Sequence, residues 1–303
     1  MKKLLNVVFC GLLGLFVSCE GLVFVREDNG IKHVYKMRYN GSSQMPFSPI
    51  TGTTYDYPDI SPDGTKIAYT DGQNVFLSDL NDMGGSSQQQ LSTPSGIKTH
   101  VRWAPQQQVI GYANTVSGTA SIFLSATNGV NFLQATYPTG SQSDGGGLDF
   151  YLDNNVQYVV YSRSGDLYFM LYNGTQPPVP ITNTPGFTTL ETLPVVSHDG
   201  QLLAFRVSEK MLQYETFDYI RIVAVGTWAL QNSIFLQPPA AMGTISSIAF
   251  SCDDKRLYFA AETSSAGGSR EIFSVKLDGS DQQQLTSNSV YDSKPDAIPK
   301  PCP

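Results

Sequence analysis

The sequence predicts an all-β protein, a six-bladed β-propeller of four-stranded antiparallel blades whose last blade is closed by strands from both ends of the chain. Three observations carry this. First, a phrase of short strand, polar turn and alternating strand recurs at ISPDGTKIAY (Ile60–Tyr69), WAPQQQVIGY (Trp103–Tyr112), FYLDNNVQYVVY (Phe150–Tyr161), VSHDGQLLAF (Val196–Phe205) and FSCDDKRLYF (Phe250–Phe259). Second, its anchors Ser61, Ala104, Tyr151, Ser197 and Ser251 are spaced by 43, 47, 46 and 54 residues, the length of a four-stranded blade. Third, the unit left incomplete at one end of the chain is completed at the other.

Each unit repeats one grammar. The first strand runs into a turn such as Ser61-Pro62-Asp63-Gly64. Proline presets the first corner, aspartate bonds its own backbone and glycine accepts conformations that other residues resist. An alternating second strand follows, as in Lys66–Thr70 or Arg256–Ala260, then a third at Asn74–Asp79, Ser121–Ser125, Leu167–Leu171, Tyr219–Val225 or Glu271–Leu277. Short fourth strands are expected at Gln90–Ser92, Phe132–Thr136, Val179–Thr182, Ser233–Leu236 and Gln284–Thr286. Period-two apolar patterning with Gly, Asn, Asp and Pro between runs is the signature of a β-meander.

The two ends fit each other. Leu22–Arg26, Lys32–Tyr39 and Gln44–Pro46 read as second, third and fourth strands without a first, while Ser293–Pro299 reads as a first strand without the rest. DSKPDAIPK at the C-terminus copies YDYPDISPD of the first unit. Joining the ends leaves no open edge in the ring, and an open edge invites aggregation. The longest step, in the fourth unit, places its surplus at Ser208–Phe217, expected as an extended hairpin loop on one face and a contact surface. Gly145-Gly146-Gly147 reads as a flexible connection between blades; no Lys-Ser/Thr follows it, so it is not a phosphate loop.

The first 18 residues form a secretory signal peptide, with Lys2 and Lys3 ahead of the apolar run Leu4–Val17. Cys19 after Ser18 is similar to a bacterial lipobox cysteine, with Phe16 where that motif prefers Leu. The expectation is an exported protein tethered through Cys19, residues 19–21 and then a single propeller from residue 22 to 303, on the periplasmic or surface side of an envelope membrane. Two or three acyl chains at roughly 0.8 kcal/mol per buried CH₂ hold such a tether. The formal net charge of −7 and the absence of a basic run exclude the electrostatic footprint of a nucleic-acid binder. Cys252 and Cys302 remain after export; a disulfide across the closing seam and two separate thiols are both compatible with the sequence.

The candidate site lies where the first strands meet the axis. Asp59, Arg102, Asp149 and Asp296 occupy equivalent first-strand positions, with Val195 and Ala249 at the other two. Equivalent positions face the same way in a ring, so these charges are expected to line a central funnel. His100 opens the first strand of the second blade and is placed near the same funnel; His33 is expected on the surface and His198 in a turn. Three histidines at different blade positions make a poor metal cage, so no metal or cofactor is expected. Trp103 and Trp228 are assigned to the core.

The pattern Pro58-Asp59-Ile60-Ser61-Pro62-Asp63-Gly64 with Ile67-Ala68-Tyr69, and the run Leu277-Asp278-Gly279-Ser280-Asp281-Gln282-Gln283-Gln284-Leu285-Thr286, resembles the repeat of TolB-type propellers. The resemblance is strong in the first and fifth units, fair in the fourth and weak in the second and third. It implies a propeller of the bacterial envelope that binds protein, with a Pal-like or other outer-membrane protein as the expected partner. The N-terminal α/β domain of TolB is not expected here, because barely three residues separate Cys19 from the first strand. The leading expectation is a monomeric, non-enzymatic scaffold. The alternative is a propeller that binds or cleaves an envelope or extracellular glycan; convergent His, Asp and Glu groups at the axis would favour it.

Overall fold

In the computed structural model, the described residues are 21–48, 52–82, 86–91, 93–106, 108–183, 189–212, 215–237, 244–263 and 268–299. The segment expected as a signal peptide, Cys19 and Cys302 lie outside them. The chain opens with β1 (Leu22–Asp28), β2 (Ile31–Met37) and β3 (Met45–Pro46). The first blade follows as β4 (Asp56–Ile60), β5 (Lys66–Thr70), β6 (Val75–Asp79) and β7 (Gln89–Gln90). The second is β8 (Ile97–Trp103), β9 (Val109–Val116), β10 (Thr119–Ala126) and β11 (Phe132–Gln134). The third is β12 (Leu148–Asp153), β13 (Val156–Arg163), β14 (Asp166–Leu171) and β15 (Val179–Pro180). The fourth is β16 (Thr189–Val196), β17 (Leu202–Leu212), β18 (Glu215–Ala224) and β19 (Leu230–Phe235). The fifth is β20 (Ile245–Phe250), β21 (Arg256–Glu262), β22 (Arg270–Lys276) and β23 (Gln283–Gln284), and β24 (Tyr291–Ala297) ends the chain. The strands form six four-stranded antiparallel sheets, and the sixth has the order β24-β1-β2-β3.

The repeated turn works through its serine. Ser61 Oγ donates to Asp63 Oδ1 at 2.6 Å and accepts Lys66 N–H at 2.9 Å, while Gly64 sits at φ 70°. Ser197 with Asp199 and Leu202 N repeats this at 2.7 and 2.9 Å, as does Ser251 with Asp253 and Arg256 N at 2.8 and 2.9 Å. The hydroxyl and carboxylate thus satisfy the donors that the reversal leaves unpaired. The third blade departs from this pattern. β12 runs on to Asp153, and Asn154 and Asn155 make a two-residue turn at φ 49° and 63°, the type I′ geometry that favours Asn.

Apolar packing fills each gap between neighbouring blades. Ala68 and Leu77 of the first blade meet Val101 and Tyr112 of the second. Ile122 meets Phe150 across the next gap, Val160 meets Phe205 and Ile220 meets Phe259. Tyr258 meets Phe24 at the fifth–sixth boundary, and Val23 with Val34 meets Ile60 and Tyr69 where the ring closes. Each of these large side chains contributes about 1.5–3 kcal/mol by leaving water.

The ends of the chain are fastened together. β1 pairs β24 from Leu22↔Ala297 to Glu27↔Tyr291. Arg26 Nε and Nη2 grip Asp292 at 2.7 and 2.6 Å, and the Asp292 side chain is fully buried. Ile298 N–H donates to Gly21 O at 3.0 Å and Tyr39 OH to Ile298 O at 3.0 Å. Cys252 is buried and disulfide-bonded.

One expectation is refined and one is corrected. Most of Ser208–Phe217 is strand: β17 and β18 pair Ser208↔Asp218, Glu209↔Phe217 and Lys210↔Thr216, so the hairpin is extended by ladder pairing. The triple glycine is tightly packed. A Cβ on Gly146 would lie 2.6 Å from Ser162 Oγ, and Gly147 has φ 109° with Leu193 and Pro194 close against it.

Candidate functional site: a one-ended axial funnel

The inner strands kink as they pass the axis. Their pairing shifts register between Asp56 and Asp59, Thr99 and Arg102, and Thr192 and Val195. The kink is a left-handed residue at the same place in five blades: Tyr57 (φ 51°), His100 (53°), Gly147 (109°), Leu193 (56°) and Lys294 (51°). Four of the five carry side chains, and such a conformation costs energy that the surrounding sheet must offset. The kinks separate two layers of axial side chains. Tyr57, His100, Leu193, Ser247 and Lys294 surround a narrow space of about 20 Å³. Two residues further along, Asp59, Arg102, Asp149, Val195, Ala249 and Asp296 line a cavity of about 280 Å³. The turn residues Pro62, Pro105, His198 and Pro299 line that cavity too and mark its mouth.

The upper ring brings together four of the five expected funnel residues, and its carboxylates tie blades to one another. Asp59 Oδ2 accepts Trp103 N–H of the second blade at 2.6 Å, while its Oδ1 meets Arg102 Nη1 at 3.1 Å. Asp149 Oδ2 accepts Val196 N–H of the fourth blade at 2.8 Å, and Asp296 Oδ2 accepts Ile60 N–H of the first at 2.8 Å. In each case the amide belongs to the residue just after the next blade's ring position, so one contact is used three times. The ring is also lopsided. The sixth, first, second and third blades contribute acid, acid, base and acid, while Val195 and Ala249 make an apolar arc with Ile248 and Phe250.

Burial governs the ionisation here. Burial and the nearby Asp296 push the Asp59 carboxyl well above the usual carboxylate range. Burial also raises Asp296, against the pull of Arg102, and pushes Asp149 up to about 6. For Arg102, burial works against the charge, but Asp59, Asp149 and Asp296 outweigh it and raise the guanidinium.

His100 lies one layer below this ring, in the floor. Its ring stands 4.7 Å from that of Tyr57, and Lys294 Nζ lies 4.0 Å from the centroid of the Tyr57 ring. The Lys294 ammonium bonds Asp56 at 2.5 Å, and Lys32 bonds the second oxygen of Asp56 at 2.8 Å. Burial, with Arg102 and Lys294 adding repulsion, lowers His100 to about 3, so it is neutral at any physiological pH. The floor is therefore a packed stack with its buried charges paired. Tyr57 and Lys294 escaped the sequence reading, although both align with His100 two residues before the ring positions.

His198 also gains a role beyond its expected place in a turn. Its backbone N–H and Nδ1 both meet Asp254 of the fifth blade, at 2.8 and 2.9 Å, and the ring lines the mouth. His33 is half-buried on β2. Trp103 is core as expected, and Trp228 packs against Phe169 and Tyr151 with centroids 5.3 and 5.9 Å away. Among the described residues, no three His, Cys, Asp or Glu groups are placed to hold a metal ion. The extended hairpin of the fourth blade springs from the floor end: Thr189 at the start of β16 pairs Glu209, whereas His198 follows the other end of β16. The two expected contact surfaces thus lie on opposite faces.

No family model and no curated protein matches the chain. Solved structures do. TolB from Acinetobacter baumannii superposes with a TM-score of 0.70 at 15% identity, over 93% of this chain and 67% of that one. A putative TolB from Agrobacterium tumefaciens gives 0.62 at 13% identity, over 90% and 91%. An oligogalacturonate lyase from Vibrio parahaemolyticus gives 0.58 at 12% identity, over 89% and 75%. Propellers at such identities share architecture while their sites diverge. The chain is TolB-like in fold: a six-bladed propeller similar to the two TolB structures.

Proposed function

We propose that this protein is a non-enzymatic binding scaffold of a bacterial envelope, monomeric and tethered through Cys19, that receives part of a partner protein in its axial funnel. The observation that carries this reading is a cavity of about 280 Å³ with a mouth of turn residues and a floor packed by Tyr57, His100 and Lys294. A recess that narrows this sharply accepts a protruding side chain or loop from its mouth. The ring carboxylates serve as ties between blades, which favours binding over proton transfer. The likeness to TolB structures supports an envelope partner, with a Pal-like or outer-membrane protein the first to try.

The test is site-specific photocrosslinking in the native envelope. A benzophenone side chain at Pro62 or Pro105 probes the mouth, and one at the exposed Ile97 probes the opposite face. A discrete protein adduct from the mouth positions alone is expected. Adducts with glycan only would replace this reading with that of a carbohydrate-binding propeller.

A further inference from the structure

We propose that the funnel is shaped for an amphipathic cation, a lysine-like ammonium on an apolar stem, with the charge seated at Asp149 and Asp296 and the stem on the arc of Val195, Ala249 and Phe250. This rests on the scaffold reading and names the chemistry that the partner presents. The argument begins with a charge imbalance. Three carboxylates and one guanidinium face the cavity, and that guanidinium pairs with Asp59. Among the described residues, neither Asp149 nor Asp296 has a cation within ion-pair distance; each has only backbone amides. The other cations nearby are engaged elsewhere: Lys294 and Lys32 on Asp56 in the floor, and His198 on Asp254 at the rim.

The second element is the opposite wall. Val195, Ile248, Ala249 and Phe250 offer no polar side chain, so a small hydrated cation would leave half the cavity unsatisfied. A hydrocarbon stem that ends in a charge satisfies both halves, as long basic side chains do when their stems lie on apolar surface. The third element is size and access. A cavity of about 280 Å³ that narrows to about 20 Å³ at the floor is at the small end of ligand sites, fit for one extended side chain entering from the mouth.

Binding is coupled to protons. Burial raises the carboxyls of Asp59, Asp296 and Asp149, the last to about 6, with Arg102 and His198 around them and Asp56, Tyr57, His100 and Lys294 beneath. The guest enters as an ammonium, and one carboxyl releases its proton to solvent. Affinity therefore rises with pH up to about 6, where Asp149 ionises in the empty funnel, by up to about tenfold per unit for one proton, and levels off above that.

The experiment titrates the mature protein calorimetrically with Nα-acetyl-lysine methylamide and with its norleucine and glutamate counterparts. The lysine probe is expected to bind about tenfold or more tightly than either, the scale of one charge-assisted hydrogen bond. Asp149→Asn and Asp296→Asn should each weaken it by a similar factor. Ala249→Phe fills the apolar arc without touching a carboxylate and should abolish binding in a protein that still melts cooperatively. Norleucine binding as tightly as lysine, lysine binding that survives Ala249→Phe, or no binding of any probe overturns the inference. If crosslinks persist at Pro62 while lysine fails to bind or compete, the cation inference falls and the scaffold reading stands. Lysine binding with no protein adduct at the mouth gives the reverse.

Discussion

Replacing Asp59 by alanine removes two contacts at once. Trp103 N–H, 2.6 Å from Asp59 Oδ2, belongs to a residue only 6% exposed and loses its acceptor. Arg102, 3.1 Å from the other oxygen, loses its ion-pair partner. An unpaired buried amide costs about 1–3 kcal/mol, and breaking a buried ion pair about 3–5 kcal/mol. The two do not add, because the funnel is open at its mouth and water can reach the vacated space. Asp149 and Asp296 also remain to hold Arg102 charged. About 2–4 kcal/mol is the resulting expectation, which at about 2–4 °C per kcal/mol lowers the melting temperature by about 4–16 °C. Asp59→Asn keeps an acceptor for Trp103 and removes a charge that burial and Asp296 disfavour, so its loss should be less than half as large. The assay is thermal unfolding by circular dichroism at pH 7, with the exposed turn variant Asp278→Ala as control. If Asp59→Ala melts within about 2 °C of that control, the interblade tie contributes little and the reasoning fails.

Other outcomes follow from the same contacts. Burial raises Asp149 to about 6 in the folded state, so its contribution to stability is fully present below about pH 4 and is lost as pH rises through about 6; Asp149→Asn should flatten that part of the stability–pH curve measured by urea titration. Gly41 and Gly174 approach the backbone of the preceding blade, where a Cβ would meet Leu285 O at 2.1 Å and Ala135 O at 2.6 Å. Alanine at either should cost more, in urea midpoint, than at Gly118, which also has positive φ but open space around it. Asp292→Asn disturbs the grip of Arg26 that joins the two ends of the chain, and a loss of about 3 kcal/mol is expected in chemical denaturation; an unchanged midpoint would show that the strand ladder alone closes the ring. Cys19→Ser should release the protein from membranes on fractionation, whereas retention that still needs detergent would refute the lipid tether.

The sequence by itself determined the propeller, its blade number and its closure, because those follow from local patterning repeated at one period. The paired strands Leu22–Asp28 and Tyr291–Ala297 were legible in the sequence as Leu22–Arg26 and Ser293–Pro299, since each was a fragment that only the other completed. The ring positions Asp59, Arg102, Asp149 and Asp296 were legible for the same reason: a repeat in sequence becomes a rotation in space. The third blade's longer hairpin left that alignment intact, because its extra length follows the axis rather than precedes it.

What only the tertiary structure decided is what those residues touch. The amide that each carboxylate accepts comes from the next blade, 44 to 47 residues away in two cases and 236 in the third. The floor of Tyr57, His100 and Lys294 depends on left-handed kinks that put side chains from three blades into contact. Repetition specifies where a side chain stands around the axis. Which neighbours share its charge, and how much water reaches it, depend on six blades meeting at once.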